Sequence, residues 1–258
     1  MLDKDAFTLP PGAATQLQNF EPDINGGYRR INGFTKYDSN QVGGSSDKIL
    51  GVHIYKDQVI AAQGTAVYKG TGSGWTSIDT GRTSAGRYNF VNFNFDGTDK
   101  MIMVDGANNA SVYNNTTVTD VNVSGAPADP AFVEVFRSHV FYAGMSASPQ
   151  ELIFSEPFDE DGFTSGDGAG SIKVDGVIKG IKVFRESLFV FCEDSIFKIT
   201  GSSLSDFAVV PVTRRIGCVD GFSIQEISGD IVYLAPDGLR TIAGTERIGD
   251  VELGTVSK

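Results

Sequence analysis

Five times along this chain, a short apolar run, a turn and a second short run recur at a nearly fixed interval. The units are DQVIAAQGTAVYKG from Asp57, DKMIMVDGANNASVYN from Asp99, RSHVFYAGMSASPQELIFSE from Arg137, RESLFVFCEDSIFKITG from Arg185 and SGDIVYLAPDGLRTIAG from Ser228. Their starts lie 42, 38, 48 and 43 residues apart. Each is preceded by another apolar stretch: KILGVHIY, YNFVNFNF, AFVEVF, IKGIKVF and FSIQEI. A fourth strand follows in places, as in GWTSI and TVTDVNV. Four short strands every ~40–45 residues is the period of a β-propeller blade.

The hydropathy pattern within a unit supports this reading. Blades stack face to face, so a middle strand is covered on both sides and reads as continuously apolar. MIMV, HVFYA, SLFVFC and DIVYLA do so, while TAVYKG and SIFKIT come closer to the alternation of a half-covered strand. A β-sandwich of this length has fewer and less regular hairpins, and a β-helix has a shorter rung. The expected fold is all-β, a propeller of five or six four-stranded blades. The sixth would be assembled from the chain ends, with YRRINGFTKYD pairing near VELGTVSK, which would remove exposed sheet edges. Residues 28–258 are assigned to the propeller. Residues 1–27 carry Pro, Gly, Ala and Asn without a strand run and are assigned to an extended N-terminal arm. Gly26 and Gly27 mark a turn, after which YRRINGF would enter the first propeller strand. Composition agrees: 31 of 258 residues are Gly, above the usual ~7%, with 18 Phe and 8 Tyr, a mixture suited to many short strands and tight turns.

A formal net charge of -11 disfavours nucleic-acid binding and non-specific adhesion to anionic surfaces. No stretch approaches the ~18 apolar residues of a membrane helix, and MLDKDAFTLPPG has no apolar signal core. Cys192 and Cys218 are too few for a disulfide framework, and Cys192, inside SLFVFCE, reads as a small buried hydrophobe.

Catalytic signals are weak. The two histidines, His53 and His139, each fall in an apolar strand with no orienting acid nearby in sequence. GMSAS from Gly144 lacks the closing glycine of a nucleophile elbow. No glycine-rich phosphate loop is present, and no cofactor is expected. The metal candidates are Asp159, Asp161 and Asp167, in the loop EPFDEDGFTSGDGAGS, where hard oxygen ligands on a turning loop suit Ca²⁺. The spacing does not match an EF-hand, and a solvated acidic loop is the plainer reading. Arg29–Arg30 and Arg214–Arg215 are the basic doublets. They read as salt-bridged strand ends or as subunit contacts, where arginine forks are useful.

Two segments carry a family resemblance: GAATQLQNFEPDINGGYRRINGFTKYD, Gly12 to Asp38, and RRIGCVDGFSIQEISGDIVYLAPDGLRTIAGTERIGDVELGTVSK, Arg214 to Lys258. Both resemble virion proteins of tailed bacteriophages, in particular propeller-containing tail nozzle or tail hub proteins of short-tailed phages. The matching features are the GG-R-x-x-GF approach to a strand, the IGC turn at Ile216–Cys218, the DGLR hairpin at Asp237–Arg240 and the acidic Gly249–Gly254 stretch. The chain departs from the family in length, since nozzle proteins are usually much longer. The resemblance implies a non-enzymatic structural subunit in the virion tail, made in the host cytoplasm. Its partners would be copies of itself in a cyclic ring, commonly of six, and adjacent tail adaptor or fibre proteins. DNA would pass without sequence-specific binding. The alternatives are a carbohydrate- or receptor-binding propeller, with Trp75 and tyrosines as stacking platforms, and a propeller hydrolase built on the Asp-rich loop.

Overall fold

A computed structural model describes residues 17–83 and 86–243. The chain divides into two compact units, residues 1–39 and 40–258.

In the first unit, β1 (Phe20–Pro22) pairs antiparallel with β2 (Tyr28–Arg30). The connecting turn is closed by Gly26 N–H donating to the Asp23 carbonyl at 3.0 Å and Asn25 N–H donating to Asp23 Oδ1 at 2.8 Å. Gly26 and Gly27 hold φ of 91° and 81°, a region costly for side-chain-bearing residues, so the Gly-Gly turn is as expected. The strand after the turn departs from expectation. Tyr28–Arg30 closes a local hairpin with Phe20–Pro22 and belongs to none of the propeller sheets. A three-residue strand containing proline is too short to leave a period-2 signal, which is why FEP read as part of an extended arm. Residues 1–16 and the VELGTVSK segment lie outside the described residues.

The second unit is a five-bladed β-propeller. Blade 1 holds β3 (Ile49–Tyr55), β4 (Gln58–Gln63), β5 (Ala66–Gly70) and β6 (Trp75–Thr80). Blade 2 holds β7 (Asn89–Asn94), β8 (Asp99–Val104), β9 (Ser111–Tyr113) and β10 (Val118–Asp120). Blade 3 holds β11 (Phe132–Phe136), β12 (His139–Ala143), β13 (Glu151–Phe154) and β14 (Gly170–Lys173). Blade 4 holds β15 (Ile178–Phe184), β16 (Ser187–Cys192), β17 (Ile196–Thr200) and β18 (Ala208–Thr213). Blade 5 shows β19 (Gln225–Ile227), β20 (Asp230–Ala235) and β21 (Gly238–Thr241) among the described residues. Within every sheet the strands follow sequence order and pair antiparallel. Of the five or six blades expected, the described residues form five, and no described strand builds a sixth blade.

The core lies between blades. Four apolar clusters each join two consecutive sheets: Tyr55 and Ile60 with Met101 and Tyr113, Ile102 and Val104 with Val140 and Tyr142, Phe141 and Phe154 with Leu188 and Val190, Phe189 and Phe191 with Ile231 and Tyr233. The middle strands are buried on both faces, β12 over its whole length, which explains their unbroken apolar sequence. Each such side chain removed from water contributes about 1.5–3 kcal/mol.

One local device repeats at the turn between a blade's first and second strands. Tyr55-Lys56, Phe136-Arg137 and Phe184-Arg185 each place a buried aromatic before a basic residue at positive φ. Each cation lies over its own neighbour's ring, at 5.8, 5.5 and 4.9 Å from the centroid. Each then reaches the next blade: Lys56 to Asp99, Arg137 to Glu186, and Arg185 to the Gly229 carbonyl. A non-glycine residue accepts the left-handed region here because a two-residue hairpin turn needs it to match strand twist.

The segment leading into blade 5 meets blades 3 and 4 and the approach to blade 2. Arg87, just before β7, pairs with Asp220 at 3.2 Å and stacks over Phe222 at 4.0 Å. Phe222 also packs on Phe132 of blade 3. A Cβ on Gly221 would sit 1.8 Å from the Lys179 carbonyl oxygen of blade 4, so only glycine permits this approach. The IGC turn is explained in the same way. Gly217 lies against the backbone of Glu193 and Asp194, and Cys218 N–H donates to the Cys192 carbonyl at 2.8 Å.

Candidate functional site

The basic doublets separate into different environments. Arg29 Nε donates to Glu21 Oε1 at 2.7 Å across the β1–β2 hairpin, and both groups remain well exposed. Arg30, its neighbour on the other face of the strand, has no carboxylate partner among the described residues. Arg214 and Arg215 are exposed just after β18, where the Arg215 N–H donates to Thr213 Oγ1, and neither guanidinium has a carboxylate partner among the described residues. Of the four, only Arg29 is the salt-bridged strand residue that the sequence suggests.

In the acidic loop, the Glu156 and Asp159 carboxylates both flank Gly162, while Glu160 pairs outside the loop. Asp159 Oδ1 accepts the Asp161 N–H at 2.9 Å and so closes a local turn. Glu160 turns inward, and its Oε1 lies 2.6 Å from Lys100 Nζ of blade 2. Burial, together with the charges of Glu160 and Asp159, pushes the Asp161 carboxyl above its ordinary range, with Lys100 opposing. Asp167 lies in a short 3-10 turn, Ser165–Asp167, farther along the loop. Among the described residues no group of three or more His, Cys, Asp or Glu side chains is placed to hold a metal ion. Sequence proximity alone grouped Asp159, Asp161 and Asp167.

The structure instead concentrates its polar chemistry between blades. Arg82 is the clearest case. Its Nε donates to Asp79 of β6 at 2.5 Å, its Nη2 donates to Asp120 of β10 at 2.8 Å and to Ser111 Oγ, and its side chain is only 9% exposed. Lys182 of β15 pairs with Glu134 of β11 at 2.8 Å. Burial raises the Glu134 carboxyl despite that lysine. His53 of β3 stacks on Phe90 at 5.3 Å and bonds Asn92 of β7 at 2.9 Å. Desolvation lowers its pKa, with the Asn92 bond opposing. Asp79 lies three residues from Arg82, but the partners on the neighbouring blades lie 29–48 residues away, so no local motif announced them.

Cys192 and Cys218 are free thiols, both buried. Burial pushes the Cys192 thiol up to about 12, which suppresses the thiolate that reacts. Trp75 is half-buried, and its Nε1 donates to the Asn40 carbonyl at 3.2 Å, so the indole is tied at its edge.

One cleft combines a cavity with a buried polar group. It has a volume of about 610 Å³ and lies between the 155–169 loop of blade 3 and the 201–207 loop of blade 4. His139, 1% exposed, forms part of its wall. Its Nδ1 lies 2.6 Å from the Ser155 carbonyl oxygen, and its ring meets Phe154 and Phe207 edge-on. In the sequence, His139 stands in an apolar strand with no neighbour that marks a cleft. The cleft depends on two loops brought together only by blade packing.

No protein family matches the sequence, and no curated protein matches it. Solved structures do match in fold. The extracellular domain of a hybrid two component system protein from B. thetaiotaomicron aligns with a TM-score of 0.51 at 11% identity, over 76% of this chain and 28% of that one. The chain thus spans less than a third of that relative. BBS1N, solved in complex with ARL6DN, aligns at 0.49 and 14% identity over 76% of this chain and 64% of that one. The computationally designed Ika4 protein aligns at 0.44 and 8% identity, over 69% of this chain and 98% of that one. At these identities the likeness is one of fold. Among the described residues no helix is long and apolar enough to cross a membrane.

Proposed function

We propose that this chain is a structural subunit of a bacteriophage tail, part of a nozzle or hub ring through which DNA passes. The observation that carries the reading is the β1–β2 hairpin together with the apolar residues around it. Ile24 is 100% exposed and Phe34 is 90% exposed, with Phe20 and Tyr28 about half exposed. An isolated two-stranded hairpin is at best marginally stable in water. Exposed aromatics on such an element gain free energy when a partner covers them. This is the segment whose sequence, FEPDINGGYRRINGF, resembles the phage family. The inter-blade ion pairs and the buried thiols suit a stiff scaffold. Net charge -11 would let DNA pass without tight phosphate contacts.

In this reading Arg29 and Arg30 contribute to assembly, by ordering the hairpin and by presenting a cation to a neighbouring subunit. Negative-stain electron microscopy across a concentration series, on wild type and on Arg29→Glu with Arg30→Glu, tests it. Rings in the wild type that are lost in the variant, with an unchanged circular-dichroism spectrum, are expected. Single compact particles at every concentration and in the presence of tail adaptor protein would sink the proposal.

A further inference from the structure

We propose that the β1–β2 hairpin of one copy of this chain docks on the bare faces of blades 5 and 1 of another copy. The proposal rests on the assembly reading above for the hairpin, and names the surface that receives it.

Four apolar clusters join blade 1 to 2, 2 to 3, 3 to 4 and 4 to 5, and among the described residues none joins blade 5 to blade 1. The repeat shows what is missing on each side. In blades 1, 3 and 4 the last residue of the first strand, Tyr55, Phe136 or Phe184, is buried in the cluster with the next blade. Ile60 and Ala62, Phe141 and Ala143, and Phe189 and Phe191 complete the same buried rows. The corresponding places in blade 5 hold Ile227, Val232 and Leu234. Ile227 is 54% exposed and Leu234 36%. Tyr233 between them meets Phe191 of blade 4 at 5.2 Å, so strand alternation turns Val232 and Leu234 away from blade 4.

The first strand of blade 1 is bare in the same way. Val133 of blade 3 and Ile181 of blade 4 are buried against the preceding blade. Counted back from the turn, their counterpart in blade 1 is Val52, which is 61% exposed, with Ile54 beside it at 54%. His53, between these two, bonds Asn92 of blade 2, so Val52 and Ile54 face away from that blade. Residues 40–47 cover the outer part of this face. Gln63 Nε2 donates to the Asp47 carbonyl at 2.7 Å, and a Cβ on Gly43 would sit 2.6 Å from the Tyr68 ring. The exposed large apolar side chains of blade 1 therefore all lie on β3. A surface that narrow takes a hairpin rather than a four-stranded blade.

The β1–β2 hairpin is such an element. It belongs to no propeller sheet. Its register pairs Phe20 with Arg30 and Pro22 with Tyr28, so these four side chains share one face. Phe20 and Tyr28 are exposed, as is Ile24 at the tip. Arg30 has no carboxylate partner among the described residues, and it would meet a chain of net charge -11. Hairpin on blade face is a head-to-tail contact, which builds a ring when its rotation closes.

Two variants of the full chain split the contact. Phe20→Asp with Ile24→Asp alters the hairpin, and Val52→Asp with Leu234→Asp alters the receiving faces. All four side chains are exposed, so both variants should keep the wild-type circular-dichroism spectrum. Sedimentation velocity over a concentration series reads the assembly. The wild type is expected to associate, and the dissociation constant should rise at least about tenfold in each variant, the order of one apolar side chain left in water. An equimolar mixture of the two variants should form dimers and nothing larger, because one intact hairpin then meets one intact receiving surface. Association of Val52→Asp with Leu234→Asp as tight as wild type overturns the proposal and leaves the ring reading standing. A mixture that stays monomeric also overturns it. A wild type that is monomeric at every concentration overturns it in favour of cover from within the same chain, by its own hairpin or by residues 244–258. Mixed dimers, with a wild type that associates but never closes into rings, support this contact and sink the ring reading.

Discussion

Arg82 is where electrostatics most directly holds two blades together, and removing its charge has a size that can be worked out. The guanidinium is 9% exposed, Asp79 is 15% exposed and Asp120 is 55% exposed. Replacing Arg82 with Met keeps most of the volume and leaves Asp79 nearly buried with its main partner gone. Breaking a buried pair in this way typically costs about 3–5 kcal/mol. Asp79 retains some access to water, so the lower end, about 3 kcal/mol, is expected. The Asp120 contact faces solvent, where an ion pair contributes up to about 1 kcal/mol. Asp120→Asn should therefore cost far less than Asp79→Asn. The double variant Arg82→Met with Asp79→Asn should cost less than the two single changes added together, because it leaves no buried charge unpaired. Urea unfolding of the four proteins gives the cycle, with the slope checked for constancy. Arg82→Met within about 1 kcal/mol of wild type, the range of surface pairs, would refute the argument. Equal costs for Asp79→Asn and Asp120→Asn would refute it too, since burial would then not set the energy.

Two further changes have defined outcomes. Gly221→Ala puts a methyl against the Lys179 carbonyl, a backbone atom that cannot rotate away. A loss of about 3 kcal/mol in urea unfolding is expected, whereas Gly166→Ala, with nothing within 4 Å, should be near neutral. His53 has a folded pKa below its ordinary 6.5, so the unfolded chain takes up its proton first. Its contribution to stability is therefore intact above pH 6.5 and is lost as pH falls below it. The loss of stability on acidification through this window should be smaller in His53→Gln, measured by unfolding at a series of pH values.

The propeller was legible because its cause is local and repeated. Each blade needs a continuously apolar middle strand, and MIMV, HVFYA and SLFVFC state that need directly. The Gly26–Gly27 turn was legible too, whereas the aromatic-basic pairs at the blade turns emerge only from the structure. Even the IGC turn was visible as a feature, though its reason was not: Gly217 is required by the backbone of blade 4, which is far away in sequence. The hairpin at Phe20–Arg30 left no signal because three-residue strands are too short to show a period.

What the chain's sequence determined by itself is therefore the unit, its strand order and which strands are buried. These follow from side-chain periodicity and turn chemistry, both properties of neighbours in the chain. Which polar groups meet is set instead by how the blades stack. Arg82 finds Asp120, Lys100 finds Glu160, Arg87 finds Asp220, and His139 comes to face the 202–205 loop. The same packing turns Glu160 of the acidic run to Lys100, and among the described residues the run forms no metal-holding group. Electrostatics and hydrogen bonding act over a few ångströms in space, and in a propeller that distance is set by the stacking of blades some 40 residues apart.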